Sequence, residues 1–401
     1  MTKLNVDKRN KINSLLFILF LFADILTFPL VLVTGDSKIF WGFLIVIFVF
    51  SLLINQLIKN KLIFIFATGT IIFMINVLLV SYKSDVLYEY MLFIRVGILS
   101  LYFSSLIKEY KFLIKYYYVM SLIGLVISNF NLSFYEDTNG YMDLGINLTY
   151  IFIGLSISFY NKSSKYKIFT YLLLVIVLLE TLILANRSAL IICISIIVYF
   201  ELFKLKFNKK GIAIMQLKIT ITFLSMYLII YNINSFLKIL NTFALKMGVS
   251  SYSLTKLTLT IQEGVGGIVE QSSGRDVLYP LLKELIMDSN LLPHGVSYLP
   301  YITNYAYVYP HNLFLEIALD FGLIGLIGWC LMMVVLTKKF LNISKNDDIA
   351  RDIIVIFSVS GFIRLMFSGS YWQEPLFWIP IGIVMFYNSS NLKVHNNRLN
   401  L

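Results

Sequence analysis

His294 and His311, two of only three histidines in the chain, share one polar stretch with Arg275. An imidazole titrates near neutrality and suits proton transfer, while a guanidinium grips phosphate through paired, charge-assisted N–H bonds. Arg275 stands in SSGRD, just ahead of an apolar stripe made by Leu278, Leu281, Leu282, Leu285 and Ile286. A helix starting there would set Arg275 beside exposed backbone N–H groups, a position that favours phosphate, and Pro280 requires that helix to start nearby or to kink. A further arginine, Arg187, occupies the short turn ANRSAL between two apolar runs. Charges inside apolar runs are costly and are functional candidates by default. They are Asp24, Glu89, Arg95, Glu180, Lys218, Arg364 and Glu374.

The elements that must position these residues are membrane helices. The chain is 58% hydrophobic and 14% charged, with a mean hydropathy of +0.80, and apolar runs of about 20 residues recur along its length. About twelve spans are expected in an all-α integral membrane protein: nine within 1–230 and three within 311–401, separated by one large outer loop over 231–310. The first run follows Lys3, Lys8, Arg9 and Lys11 but lacks a cleavage pattern, so it is expected to stay as the first helix. With the N-terminus placed inside, Lys and Arg concentrate on inner loops, so both termini are expected in the cytoplasm. The net charge of +11 then reports topology, not nucleic-acid binding. Cys193 and Cys330 both lie in apolar runs without metal-ligand spacing; neither a metal nor a cofactor is expected.

Within the outer loop, Phe236, Leu240, Phe243 and Met247 recur at helical spacing and read as an amphipathic helix on the membrane surface. Gly264, Gly266 and Gly267 in EGVGG form no phosphate loop, because no strand precedes them and no Lys-Ser/Thr pair follows; they read as hinges. Tyr298, Tyr301, Tyr305, Tyr307 and Tyr309 cluster before His311, either as a sugar-stacking strip or as an interfacial aromatic belt. Trp372 and Trp378 fit the belt. Asn312 is a helix cap or a substrate contact. Glu180, Arg187, Arg364 and Glu374 fall near outer helix ends, where they join Arg275 and His311 in one charged site or, in the case of Glu180 (two turns before Arg187), Arg364 and Glu374, belong to structural ion pairs.

An arginine in a short outer turn (ANRSAL), a long outer loop carrying SGRD, then HGVSYL, then HNLFLEIALDFGLIGLIG entering a helix together resemble the O-antigen polymerase and ligase superfamily. The resemblance covers roughly the last 220 residues through ordering and topology. It implies a GT-C-like glycosyltransferase of the bacterial inner membrane that uses a polyprenyl-pyrophosphate-linked glycan as donor on the outer face. For such a donor, Arg187 and Arg275 are expected to hold pyrophosphate and His311 to serve as the base, with His294, Asn312, Tyr305, Tyr309, Arg364 and Glu180 as further substrate-binding candidates. The polymerase branch, which extends a lipid-linked repeat unit, is the expected one. The ligase acting on lipid A-core is the nearest alternative, and a lipid-linked oligosaccharide transporter a more distant one. Expected partners are the lipid-linked donor and acceptor, membrane lipids, a chain-length regulator and a flippase.

Overall fold

The computed structural model describes residues 5–56, 58–130, 140–161, 167–184, 186–203, 231–246 and 274–387, with a few isolated positions between 216 and 258. Among the described residues the chain is all-helical, 85% helix with no strand. Among the described residues six helices are long and apolar enough to cross a membrane, or up to seven if a bent pair at the N-terminus counts as one span. This is a membrane protein. The expected span at 212–230 and the hinge glycines Gly264, Gly266 and Gly267 lie outside the described residues.

The chain divides into two compact units, residues 1–116 with 275–401, and residues 117–274. In the first, α1 (Val6–Leu21) and α2 (Ala23–Thr34) are bent by 53°. They are followed by α3 (Lys38–Asn55), α4 (Asn60–Leu79) and α5 (Lys83–Leu92), the last continuing through a π-helical stretch (Phe93–Ile98) into α6 (Leu99–Ser105). Helix α7 (Tyr110–Phe130) begins in this unit. Inside the membrane there is no hydrophobic drive between helices, so polar pairs and small residues hold them together. Asn13 and Asn55 exchange hydrogen bonds at 3.0 and 2.9 Å. Ser51 meets the Tyr102 hydroxyl at 2.9 Å, and Asn10 reaches Glu109 at 2.9 Å.

The second unit holds α8 (Gly140–Asn161), α9 (Lys167–Ile183), α10 (Arg187–Val198), which runs on through Tyr199–Phe203 as a π-helix, and α11 (Ile233–Lys246). Gly154 packs directly on Tyr117 and Ser121, and Gly145 on Asn186. A helix covers the expected segment as α11, with Leu237 and Leu240 buried and Lys238 exposed; of the expected apolar face, Phe236, Phe243 and Met247 lie outside the described side chains. Cys193 is buried here and is free, as is Cys330 in the first unit.

After residue 275 the first unit resumes with α12 (Arg275–Asp288), the short α13 (Tyr298–Ile302), α14 (Leu313–Asn346), α15 (Asp348–Phe367) and α16 (Pro375–Phe386). The expected stripe is the buried face of α12: Leu278, Leu282 and Ile286 pack with Leu299, Ala318 and Leu319. Pro280 lies inside this helix, five residues after its start, close enough to the first turn that little ladder is lost. Gly361 of α15 rests on the Leu376 backbone at the start of α16.

Helix α14 is not continuous. Gly322 interrupts it with φ 63° and ψ −158°, which frees carbonyls that cannot be left bare in a membrane. The segment after α12 supplies the missing partners. The backbone N–H groups of His294 and Gly295 donate to Leu319 and Asp320 at 2.9 and 3.2 Å, and Leu323 N–H donates to the Leu291 carbonyl at 2.9 Å. That close approach requires glycine, since a Cβ at Gly322 would meet the Leu291 carbonyl and come within 2.9 Å of the Pro293 nitrogen.

Candidate functional site

The C-terminus of α15 is where the candidate residues of the first unit converge. A helix end leaves carbonyls without partners and carries partial negative charge. The Phe367 carbonyl is met there by two side chains: Arg275 Nη2 at 2.5 Å and His311 Nδ1 at 3.1 Å. Arg275 is the first residue of α12, and its guanidinium also lies over the Phe367 ring, 5.8 Å from the centroid. Arg364, one turn before Phe367, donates to Ser368 at 2.7 Å and pairs with Glu374 at 3.4 Å. Glu374 caps α16 by accepting from Leu376 N–H at 3.1 Å.

Charge bookkeeping separates the two arginines. Arg364 is matched by Glu374, whereas among the described residues no carboxylate lies within ion-pair distance of Arg275, and its buried Nε has no hydrogen-bond partner. Among the described residues the group therefore carries one uncompensated positive charge. His311 responds to that field. Burial pushes its imidazole down to about 4, with Arg275 and Arg364 adding to the shift and the Phe367 carbonyl opposing it. At neutral pH the ring is uncharged. Because only an N–H can bond a carbonyl, Nδ1 carries the hydrogen and Nε2 presents a lone pair.

His311 is held in a left-handed conformation, φ 54°, strained for a non-glycine residue and of the kind that clusters at functional sites. Its backbone carbonyl accepts from Tyr279 at 3.3 Å, and its ring meets Tyr309 edge-on at 4.5 Å. Tyr309 is half-buried, and this desolvation raises its hydroxyl, while Arg364 and the Gly369 backbone oppose that shift.

The remaining candidates separate by role. Asn312 is the cap of α14: its side chain accepts from Phe314 and Leu315 N–H at 3.0 and 3.2 Å. His294 is committed to the helix break, with Nε2 at 3.0 Å from the Leu285 carbonyl, its ring stacked on Tyr298 at 4.4 Å, and its own carbonyl accepting from Tyr82 at 2.8 Å. The tyrosines do not form one strip. Tyr301 stacks on Tyr82 at 4.7 Å and the exposed Tyr305 donates to Asp85 at 2.7 Å, whereas Tyr309 packs on His311. Trp372 is buried core and packs with the half-buried Trp378 and with Phe93 in the first unit, and Trp378 donates to the Tyr371 carbonyl at 2.7 Å.

Arg187 and Glu180 belong to the second unit. Arg187 is exposed at the first position of α10, behind the cap Asn186, which accepts from Ala189 N–H at 3.2 Å. Glu180 faces the Asn129 side chain and forms no ion pair with Arg187.

Two further acids face the same region of the first unit and were not singled out by their setting in the sequence. Glu316 and Asp320 stand four residues apart in the first segment of α14 and are each 5% exposed. Their spacing, one helical turn, is the signal that marks them as a pair. Both occur inside an otherwise apolar window that hydropathy averages away. No protein-family model, curated protein or solved structure matches this chain.

Proposed function

We propose that this membrane protein is a glycosyltransferase acting on lipid-linked substrates, of the kind that extends a surface polysaccharide on a polyprenyl pyrophosphate carrier. The observation that supports the reading most directly is the uncompensated Arg275 beside Arg364 and a neutral His311 at one helix end. In the proposed reaction an acceptor hydroxyl attacks the anomeric carbon of the donor and the bond from that carbon to pyrophosphate breaks. The electron pair leaves on pyrophosphate, where Arg275 and Arg364 offset the developing charge. The hydroxyl proton passes to Nε2 of His311. An imidazole pushed to about 4 is a weak base in the empty site, but bound pyrophosphate would cancel much of the arginine field and strengthen it. The twelve-span, GT-C-like architecture, the outer-face location and the cytoplasmic termini belong to this proposal, and Arg187 enters it only through the test below.

A second reading, a carrier of the lipid-linked unit, is favoured by the membrane-buried acids and by the interrupted helix at Gly322, features that transporters use around substrate and ion sites. The deciding experiment is a polysaccharide gel from a strain lacking the gene, complemented with wild type or with Arg275→Ala, His311→Ala or Arg187→Ala at matched expression. Single repeats without the gene and a ladder with it support the polymerase. Accumulated lipid-linked polymer beside bare core supports a ligase, and loss of all exported glycan supports the carrier. A normal ladder from Arg275→Ala and His311→Ala together sinks the chemistry proposed here.

A further inference from the structure

Close to the arginine group lies a set of carboxylates that glycosyl transfer does not use. Glu316 and Asp320 of α14 and Glu89 of α5 line one small cavity together with Ser297, Ser370 and Trp372. Glu89 is 7% exposed, so all three acids are at least nine-tenths buried. Asp320 accepts from the Tyr371 hydroxyl at 2.7 Å, while Ser370 lies beside Glu316 and Gln373 beside Glu89. What those contacts leave over is informative: Oε2 of Glu316 and Oε2 of Glu89 have no hydrogen-bond partner among the described residues, although both are buried. Among the described residues no lysine, arginine or histidine lies within ion-pair distance of the three acids, and the neighbouring Arg364 is paired with Glu374.

Three ionised carboxylates at this burial would each lose hydration worth several kcal/mol and would repel one another besides. Uncompensated, they would drive the helices apart. A positive species from outside the chain resolves this, and the cavity limits its size: about 20 Å³ is room for a single water-sized occupant. Among the described residues no three acidic, histidine or cysteine groups converge as a metal-ion ligand set, so a divalent ion has no cage here. A singly charged occupant needs fewer carboxylates and can draw on neutral oxygens.

We propose that this cavity binds one small monovalent cation, sodium or a hydronium-type proton, held between the spare carboxylate oxygens of Glu316 and Glu89, with neutral oxygens such as the Ser370 hydroxyl completing its shell. The other titratable groups packed around it are Tyr371, Tyr298 and Tyr82, together with the Arg364–Glu374 pair. The site stands whether the protein transfers glycan or carries lipid, because it rests on the burial and spare oxygens of these acids alone.

The test uses purified full-length protein in detergent, with thermal unfolding followed at about pH 8 in sodium chloride or in choline chloride of equal ionic strength, and then over a series down to about pH 5 in choline. A midpoint that rises saturably with sodium over choline, and no longer does so in Glu316→Gln, identifies sodium. Indifference to sodium, with a midpoint that rises as pH falls and loses that rise in Glu316→Gln, identifies the proton. The glutamine keeps the shape and removes one charge, so in choline at the upper pH this variant should melt above wild type. Should it fail to fold, Glu89→Gln carries the same comparison. Midpoints equal in both salts, with a pH response that both variants leave untouched, overturn the proposal.

Discussion

Replacing Gly322 by alanine isolates the contact that sets the site's geometry. The backbone there, φ 63° and ψ −158°, lies in a region that side chains occupy only at a cost of about 1–3 kcal/mol. A Cβ would also meet the Leu291 carbonyl and the Pro293 nitrogen, the latter at 2.9 Å, so the segment 291–295 would have to withdraw. Withdrawal breaks the Leu323 to Leu291 bond and strains the His294 and Gly295 bonds to α14; each buried group left bare costs about 1–3 kcal/mol. Together these give about 3–5 kcal/mol, enough to raise local opening by at least about a hundredfold. Gly328, six residues on in the same helix, has nothing within 4 Å of an added Cβ, and alanine there should be neutral or stabilising by up to about 1 kcal/mol. Amide hydrogen exchange in detergent reads the difference: the peptide containing Leu323 should lose protection in Gly322→Ala and keep it in Gly328→Ala. Equal protection in the two variants would refute the account of the helix break.

The remaining predictions concern the arginine group and its caps. Since burial and Arg275 hold His311 at about 4, its NMR titration in the free protein should fall well below the ordinary histidine range. Arg275→Gln removes a cation that disfavours the imidazolium, so the midpoint should move up; no movement would show that the two side chains are not coupled. The acid limb of activity should follow the same direction, because the proposed base works only while neutral. Arg275→Lys keeps the charge but loses the planar fork, and is expected to raise donor KM by about tenfold or more, whereas unchanged KM would remove Arg275 from donor binding. Asn312→Ala should lower stability by about 1 kcal/mol through the lost cap while leaving donor KM alone, and a KM effect larger than the stability effect would make Asn312 a substrate contact instead.

Much of the architecture was legible in the sequence, and the reason is hydropathy. Apolar runs of membrane length announce helices whatever their tertiary partners, so the all-helical membrane class followed directly, as did the apolar face of α12. The breaks were less visible. A window long enough to detect a span averages over the single residue that interrupts it, so Gly322 reads as one more small residue in GLIGLIG, and the bend between α1 and α2 leaves no mark. The site was legible in part. Arg275, His311 and Arg364 were candidates because of cost and placement, but the atom that gathers two of them is the Phe367 carbonyl, and a backbone group has no signature in the sequence. Trp372 misled for the opposite reason: an aromatic near a helix end suggests an interface, and only packing against Phe73 and Phe93 shows it to be core.

The interval from His311 to Gly322 is a length with chemical meaning. Between the cap Asn312 and the break stand nine residues, Leu313 to Phe321, a rod of about 13 Å at the helical rise. One end of that rod is tied to the α15 terminus through His311 and the other to the segment 291–295 through the carbonyls of Leu319 and Asp320. Glu316 and Asp320 fall on one face of it, a turn apart. Cationic side chains are thereby placed at the mouth of the rod and acidic ones along its buried side. A proton or sodium ion entering the acidic cavity would alter the field at His311, and an anion bound at Arg275 would alter the field at Glu316. Coupling of this kind is reciprocal by thermodynamic necessity. The sodium or pH dependence of the unfolding midpoint should therefore change when pyrophosphate is bound, by the same factor in affinity that the cation imposes on pyrophosphate.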